Sequence, residues 1–314
     1  MYYIGIDIGG TSIKGGVVDE TGKIYAKSET DTLPERSYAE IFGDVWKLAK
    51  KVVADANLTL DEISGIGMGI PGTINSDEGI ITYSNNIRFE KVPVAAEMAK
   101  YTKIPVKIGN DANCAALGEK AFGAAKEMKD IILITLGTGV GSGIILNGKL
   151  FQGKNGAGAE CGHIALKVGG EPCTCGKNGC WEAYASASAL INQTRKQIGL
   201  YPESRLAKIA EEEGRVSGRT AFKAAREGDE AGEEVVRRYI RYVAEGLVSL
   251  VNVLRPEAIL IGGGISNEGD YLIDRLQKLV AKYSYGGRRN PYVKVIKAEL
   301  MNDAGILGAA ALCL

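Results

Sequence analysis

The sequence carries no excess of either charge. Lys and Arg number 38 and so do Asp and Glu, so no net field draws the chain to nucleic acid or to an anionic membrane. It also lacks any run approaching the ~18 apolar residues of a membrane span. MYYIGIDIGG has neither the basic start nor the apolar stretch of a signal peptide. These absences describe a soluble, cytoplasmic protein in which a charged ligand must be met by local groups. A Walker A sequence is missing too, so phosphate binding needs another device. No low-complexity linker is present, which leaves ordered crossings to join domains. Histidine is reduced to one residue, His163. Cysteine is sparse but uneven. Cys114, Cys161 and Cys313 stand alone in Ala- or Gly-rich surroundings and read as small buried hydrophobes. Cys173, Cys175 and Cys180 fall close together. In a reducing compartment such a cluster suggests metal before it suggests a disulfide.

What is present fits two core-bearing domains: 314 residues, 45% apolar and 24% charged. In YYIGIDIGG the apolar Ile4, Ile6 and Ile8 alternate with Gly5, Asp7 and Gly9, the period of a strand, and IKGGVVD follows as a second strand across a Gly-rich hairpin. IILITLGTGVGSGIILNG repeats this unit at a constant offset of 128 positions, with Ile4, Ile6, Ile8, Gly9 and Gly15 falling on Ile132, Ile134, Leu136, Gly137 and Gly143. A duplicated α/β fold follows, each half carrying one phosphate-sized turn, with a cleft between the halves. Helices are expected over about 38–56, through 186–254, and over about 270–283. ISGIGMGI and EAILIGGGIS read as strands, VKIGNDANCAALGEKAFG as a strand running through an Asn-Asp junction into an Ala-rich helix, and DAGILGAAALCL as a closely packed small-residue helix.

The literal GxGxxG match, GMGIPG from Gly67 to Gly72, is a decoy. Pro71 sits where a dinucleotide fold would open its helix, and a strand-like stretch follows instead. The phosphate device is the pair of hairpins. Gly9 and Gly10 in the first, and Gly137, Gly139 and Gly141 in the second, let backbone N–H groups approach an anion, while Thr11, Ser12, Thr138 and Ser142 add hydroxyls. Two such turns at corresponding positions, with Asp7 pointing off the apolar face, favour a metal-chelated triphosphate over two ordinary tight turns. Gly263 and Gly264 end a strand where a nucleotide base could lie against bare backbone. Asp111 reads either as a helix cap or as a base, held ionised by a helix N-terminus, that accepts a sugar hydroxyl proton. The C-x-C-x4-C spacing of Cys173, Cys175 and Cys180, with Gly176 and Gly179 in the turn, can aim three thiolates at one centre. His163 completes a tetrahedral set, a closed and therefore structural Zn²⁺ site, rather than a free-thiol cluster or redox pair. Zinc there would hold Glu160 and Glu182 at fixed separation as a polyol-binding surface.

DIGGTSIKGGVVD, IPGTI, NDANCAALGE, LGTGVGSGII and above all AECGHIALKVGGEPCTCGKNGCWE resemble the ROK family of repressors, open reading frames and kinases, over essentially the whole chain. The resemblance implies an actin-like, hexokinase-like ATPase fold and ATP- and Mg²⁺-dependent phosphorylation of a hexose in carbohydrate metabolism. It implies that Asp111 is the base, that Gly72, Asn86, Asn110, Glu160, His163 and Glu182 hold the sugar, and that His163, Cys173, Cys175 and Cys180 bind zinc. Many members have proline before the asparagine matching Asn86, whereas Asn85 stands there in this chain. A homodimer is also implied. The domains are expected at 1–117, joined by the C-terminal helix 302–314, and at 118–301. Glucose, phosphorylated at its 6-hydroxyl, is the expected acceptor, with N-acetylglucosamine, N-acetylmannosamine or another hexose as the alternative. A sugar-sensing repressor would place a DNA-binding domain ahead of the first hairpin, where the strand already begins at about Tyr3. An actin- or chaperone-like ATPase would not need the paired glutamates.

Overall fold

The computed structural model describes residues 1–84 and 87–314. Its strands are β1 Tyr2–Ile8, β2 Ser12–Asp19, β3 Ile24–Asp31, β4 Ile63–Ile70, β5 Thr73–Asn75, β6 Ile80–Ser84, β7 Phe89–Val92, β8 Val106–Asn110, β9 Ile131–Leu136, β10 Val140–Leu146, β11 Lys149–Phe151, β12 Ala258–Gly262 and β13 Lys294–Lys297. Its α-helices are α1 Tyr38–Asp55, α2 Val94–Met98, α3 Asp111–Phe122, α4 Glu182–Ala185, α5 Ala187–Leu200, α6 Arg205–Glu212, α7 Thr220–Arg226, α8 Glu230–Leu254, α9 Asp270–Tyr283 and α10 Ala304–Ala311. The chain divides into two compact units. One comprises Met1–Asp130, Gly143–Ala159 and Glu299–Leu314, the other Ile131–Ser142 and Glu160–Ala298.

The duplication read from the sequence is present as topology. The first sheet runs β3-β2-β1-β4-β8 and the second β11-β10-β9-β12-β13. In the first, β2 pairs antiparallel with β1 and β3, and β4 runs parallel to β1 and β8. In the second, β10 pairs antiparallel with β11, and β12 runs parallel to β9 and β13. A short antiparallel sheet, β5-β6-β7, branches off after β4, so a strand does follow the decoy glycines.

In the first unit Ile4, Ile6 and Ile8 are fully buried in one core with Ile41, Phe42, Val45 and Val52 of α1. That helix starts at a capping box, Ser37 with Glu40, and its apolar residues recur at helical spacing. The small residues on the other side of the sheet are explained by α10. A Cβ on Gly5 would lie 2.0 Å from the Ile306 carbonyl oxygen, and one on Gly67 only 1.7 Å from that of Ala309. Gly67 is therefore glycine because a helix backbone lies on it, not because a pyrophosphate does. Replacing Gly67 with Val is expected to abolish soluble folding, read as loss of a cooperative unfolding transition, since backbone rather than a pliable side chain stands in the way.

In the second unit the long helical expectation resolves into α5, α6, α7 and α8. Breaks fall after Leu200, at Gly214 and at Gly228, the two glycines taking left-handed backbone angles. Asp229 caps the 25-residue α8. No helix among the described residues is long and apolar enough to cross a membrane.

Candidate active site and metal centre

In the first unit the site forms where β1, β4 and β8 end. Asp7 pairs with Gly69 and Asn110 with Ile70, so their Cα atoms lie at one end of a continuous parallel run. Asn110 caps α3. Its Oδ1 accepts from the amides of Ala112 and Asn113 at 3.0 and 3.1 Å, and its Nδ2 donates to the Gly72 carbonyl at 3.0 Å. Gly72 has φ +115°, and a Cβ there would lie 2.3 Å from the Tyr83 carbonyl oxygen. Asn110 is thus the cap, and Asp111 adds one bond to the same helix end, its Oδ1 accepting from the Ala112 amide at 2.8 Å. It is the first helical residue and its side chain is solvent-accessible. Protein nevertheless crowds its surroundings. Desolvation raises its pKa above the usual carboxylate range, against the opposing pull of its own and the Ala112 amide and of Asn110.

Asp7 responds to the same surroundings. Burial first, and the nearby Asp111 charge second, push it up to about 6, with Lys14 pulling the other way. Two carboxylates that repel each other at a strand end, in a half-open setting, are a hard-oxygen donor pair. The first hairpin follows directly. The Gly9 amide donates to the Ser12 carbonyl at 2.9 Å, and Thr32 donates through Oγ1 to the Gly9 carbonyl at 2.7 Å. Thr32, absent from the sequence reading, thus fixes the turn from β3. Asn85 and Asn86 lie outside the described residues.

In the second unit the four residues expected to bind metal come together. Nδ1 or Nε2 of His163 and the Sγ atoms of Cys173, Cys175 and Cys180 all lie within 4.8 Å of one another. Cys173 Sγ is 3.7 Å from His163 Nδ1, and Cys175 Sγ is 3.6 Å from Cys180 Sγ. Tetrahedral Zn–S bonds of 2.3 Å give an S···S edge of about 3.8 Å, so the donor set and its spacing fit zinc. The loop holds this shape through its own backbone. Cys173 N donates to the Lys177 carbonyl, Gly179 N to that of Glu171, and both Leu166 N and Lys167 N to that of Gly179. Gly179 is left-handed, and its missing Cβ would sit 1.7 Å from the Lys167 oxygen. Burial pushes the Cys173 thiol up to about 12, while the Lys177 amide holds Cys175 below its ordinary value. The loop is anchored by Trp181, fully buried, whose Nε1 donates to the Tyr242 carbonyl at 2.9 Å and whose ring fills the space left by Gly246. Trp181 was legible only as the middle letter of CWE.

Glu160 is exposed and its carbonyl accepts from His163 N at 3.1 Å. Glu182 opens α4, and its carboxylate does two things. Oε2 accepts from the Val140 amide at 2.9 Å, and Oε1 meets Thr174 Oγ1 at 3.3 Å and Cys173 Sγ at 3.5 Å. Val140 begins β10, immediately after the second hairpin Gly137–Gly139. Gly137 and Thr138 reach the surface of that turn, and Ser188 Oγ donates to the Thr138 carbonyl at 2.9 Å. Gly141 lies one residue into β10, half-buried. Ser142 corrects the reading of the second hairpin: it is 7% exposed and its Oγ accepts from the Cys161 amide at 3.0 Å. It supports the chain beneath the turn rather than presenting a hydroxyl at it. Gly263, φ +77°, sits on the backbone of Leu136, where a Cβ would meet N and O at 2.6 Å, and nothing stands over Gly264. The bare glycine turn thus lies beside the start of the second hairpin.

The ROK family's sequence model matches residues 3–314. This chain belongs to the ROK family. The glucokinase of Streptomyces coelicolor is 37% identical over 314 residues, covering 98% of this chain and 96% of that protein. The glucokinase of Thermotoga maritima is 36% identical over 312 residues, with the same coverage. The ROK glucokinase of Streptomyces griseus, solved in complex with glucose and AMPPNP, superposes with a TM-score of 0.85 at 34% identity over 99% of each chain. The two α/β repeats of this ROK protein are accordingly those of the two-domain, actin-like ATPase fold of ROK sugar kinases.

Proposed function

We propose that this ROK protein is an ATP-dependent hexose kinase that phosphorylates glucose at its 6-hydroxyl. The observation that carries the reading is the division of labour between Asn110 and Asp111. The asparagine makes the cap, so the aspartate is left accessible, raised in pKa and next to a second carboxylate. An acidic group in that state suits a base that takes the hydroxyl proton as the phosphoryl group transfers. Full-length similarity to glucokinases, one of them solved with glucose and an ATP analogue, supports both substrates.

Phosphoryl transfer asks mainly for positioning and charge. Gly9, Gly10, Thr11 and Ser12 in one hairpin and Gly137, Thr138, Gly139 and Gly141 in the other would receive the phosphates of ATP, with Gly263 and Gly264 against the base. Asp7 would hold Mg²⁺, which when bound neutralises charge on the phosphates. Gly72, Asn110, Glu160, His163 and Glu182 would hold the sugar. A structural zinc on His163, Cys173, Cys175 and Cys180 would keep Glu182 and His163 in place. A homodimer is the assembly we expect, checked by light scattering.

A coupled assay over glucose, mannose, fructose, N-acetylglucosamine and N-acetylmannosamine tests the substrate. Glucose is expected to give the highest kcat/KM, because a site built to bond hydroxyls rejects analogues that lack them. Preference for an N-acetylated sugar would overturn glucose while leaving the kinase, and nucleotide hydrolysis indifferent to every hexose would overturn both. Elemental analysis is expected to give one zinc per chain. Cys175→Ser should lose the metal and with it hexose affinity. A metal-free protein with undiminished activity would remove zinc from the account.

A further inference from the structure

From their separation in sequence, the second hairpin and the cysteine loop look like independent devices, one for nucleotide and one for the sugar-binding wall. The carboxylate of Glu182 joins them. Its Oε2 takes the amide of Val140, the first residue after the hairpin, at 2.9 Å, and its Oε1 takes Thr174 Oγ1 and lies 3.5 Å from Cys173 Sγ in the metal loop. Gly139, inside the hairpin, packs so closely on the same oxygen that a Cβ there would lie 2.3 Å from it. The hairpin's far side is tied to the same region, since Ala187 N donates to the Gly137 carbonyl at 2.8 Å and Ser188 Oγ to that of Thr138.

We infer that Glu182 is a positioning residue for the nucleotide-phosphate turn, and that metal occupancy in the cysteine loop therefore sets nucleotide affinity as well as hexose affinity. This rests on reading the hairpin as the phosphate site. The argument is geometric. A turn as glycine-rich as LGTGVG has few side chains to fix its own course, so the convergence of its amides on an anion depends on what holds it from outside. The Glu182 carboxylate is that support, a charge-assisted bond to a backbone N–H. Its orientation depends in turn on Thr174, which lies between Cys173 and Cys175 and is presented correctly when Cys173, Cys175, Cys180 and His163 are gathered on the metal. Each carboxylate oxygen has two acceptor sites, so holding Val140 and Thr174 leaves room for a sugar hydroxyl. One side chain can thus serve both substrates.

The test is calorimetric binding of AMPPNP with Mg²⁺, without hexose, to the wild type, Glu182→Ala, Glu182→Gln, Thr174→Val and protein stripped of metal by a chelator, with zinc content measured for each. Hydrogen exchange at Val140 is read alongside. Glu182→Ala and the stripped protein are expected to bind AMPPNP about 10-fold or more weakly, with faster exchange at Val140. Glu182→Gln should recover most of the nucleotide affinity, because its carbonyl still accepts from Val140 and its amide can donate to Thr174, while hexose affinity stays low. Thr174→Val should fall in between with zinc retained, which keeps the coupling testable if the alanine variant does not fold. If AMPPNP binds the alanine variant and the stripped protein as it binds the wild type, the inference is overturned and the kinase reading stands. If the wild type binds no AMPPNP, the kinase reading itself has failed.

Discussion

Asp111→Asn is expected to bind hexose almost as the parent does and to turn over about 10² to 10⁴ times more slowly, a barrier increase of roughly 3 to 5 kcal/mol. The substitution is close to silent structurally. The capping bonds belong to Asn110, and an asparagine oxygen can still accept from the Ala112 amide as Asp111 Oδ1 does at 2.8 Å. What disappears is the proton acceptor. The split between unchanged calorimetric affinity and lowered kcat is the diagnostic, since a purely structural role would lower stability and affinity together. Turnover at the parental rate would remove Asp111 as the base.

The sequence made the architecture readable because the duplication is written in backbone requirements. Alternating isoleucines set two strands, glycines set two turns, and the constant offset tied one to the other. It made the candidate metal set readable because Cys173, Cys175 and Cys180 fall within eight positions and the single histidine lies ten residues before the first of them. What it could not show was which of two adjacent polar residues caps α3. Asn110 and Asp111 are both good caps, and only the placement of Ala112 N and Asn113 N over the Asn110 oxygen decides. Nor could it separate Ser142 from Ser12. Both follow glycine turns, but a buried amide at Cys161 claims the first. Thr32 and Trp181 were missed for the same reason, since they touch Gly9 and Tyr242, far along the chain, and no local spacing marks that. Thr174 touches Glu182 only eight residues on, but nothing in the spacing marks a hydroxyl among the cysteines as its partner.

Asp7→Asn is expected to stabilise the nucleotide-free protein at neutral pH while lowering turnover by about 10² or more, the scale of losing a metal-assisted charge contact. Burial, with the charge of Asp111 behind it, raises the Asp7 carboxyl from 3.8 to about 6. A raised carboxyl makes the folded state bind its proton more tightly than the unfolded chain does. Its ionisation therefore leaves stability untouched below about pH 4, erodes it between about 4 and 6, and reaches its full effect above 6. Two pKa units correspond to about 3 kcal/mol, and the asparagine variant should recover most of that at pH 7.5 and little at pH 4. Urea unfolding without Mg²⁺ or nucleotide at the two pH values measures the gap. Added Mg²⁺ with AMPPNP should close it from the other side, stabilising the parent more than the variant, because a cation beside Asp7 reverses the cost of its charge. A variant no more stable than the parent at pH 7.5, yet equally active, would mean that Asp7 is neither strained by its surroundings nor used by the reaction.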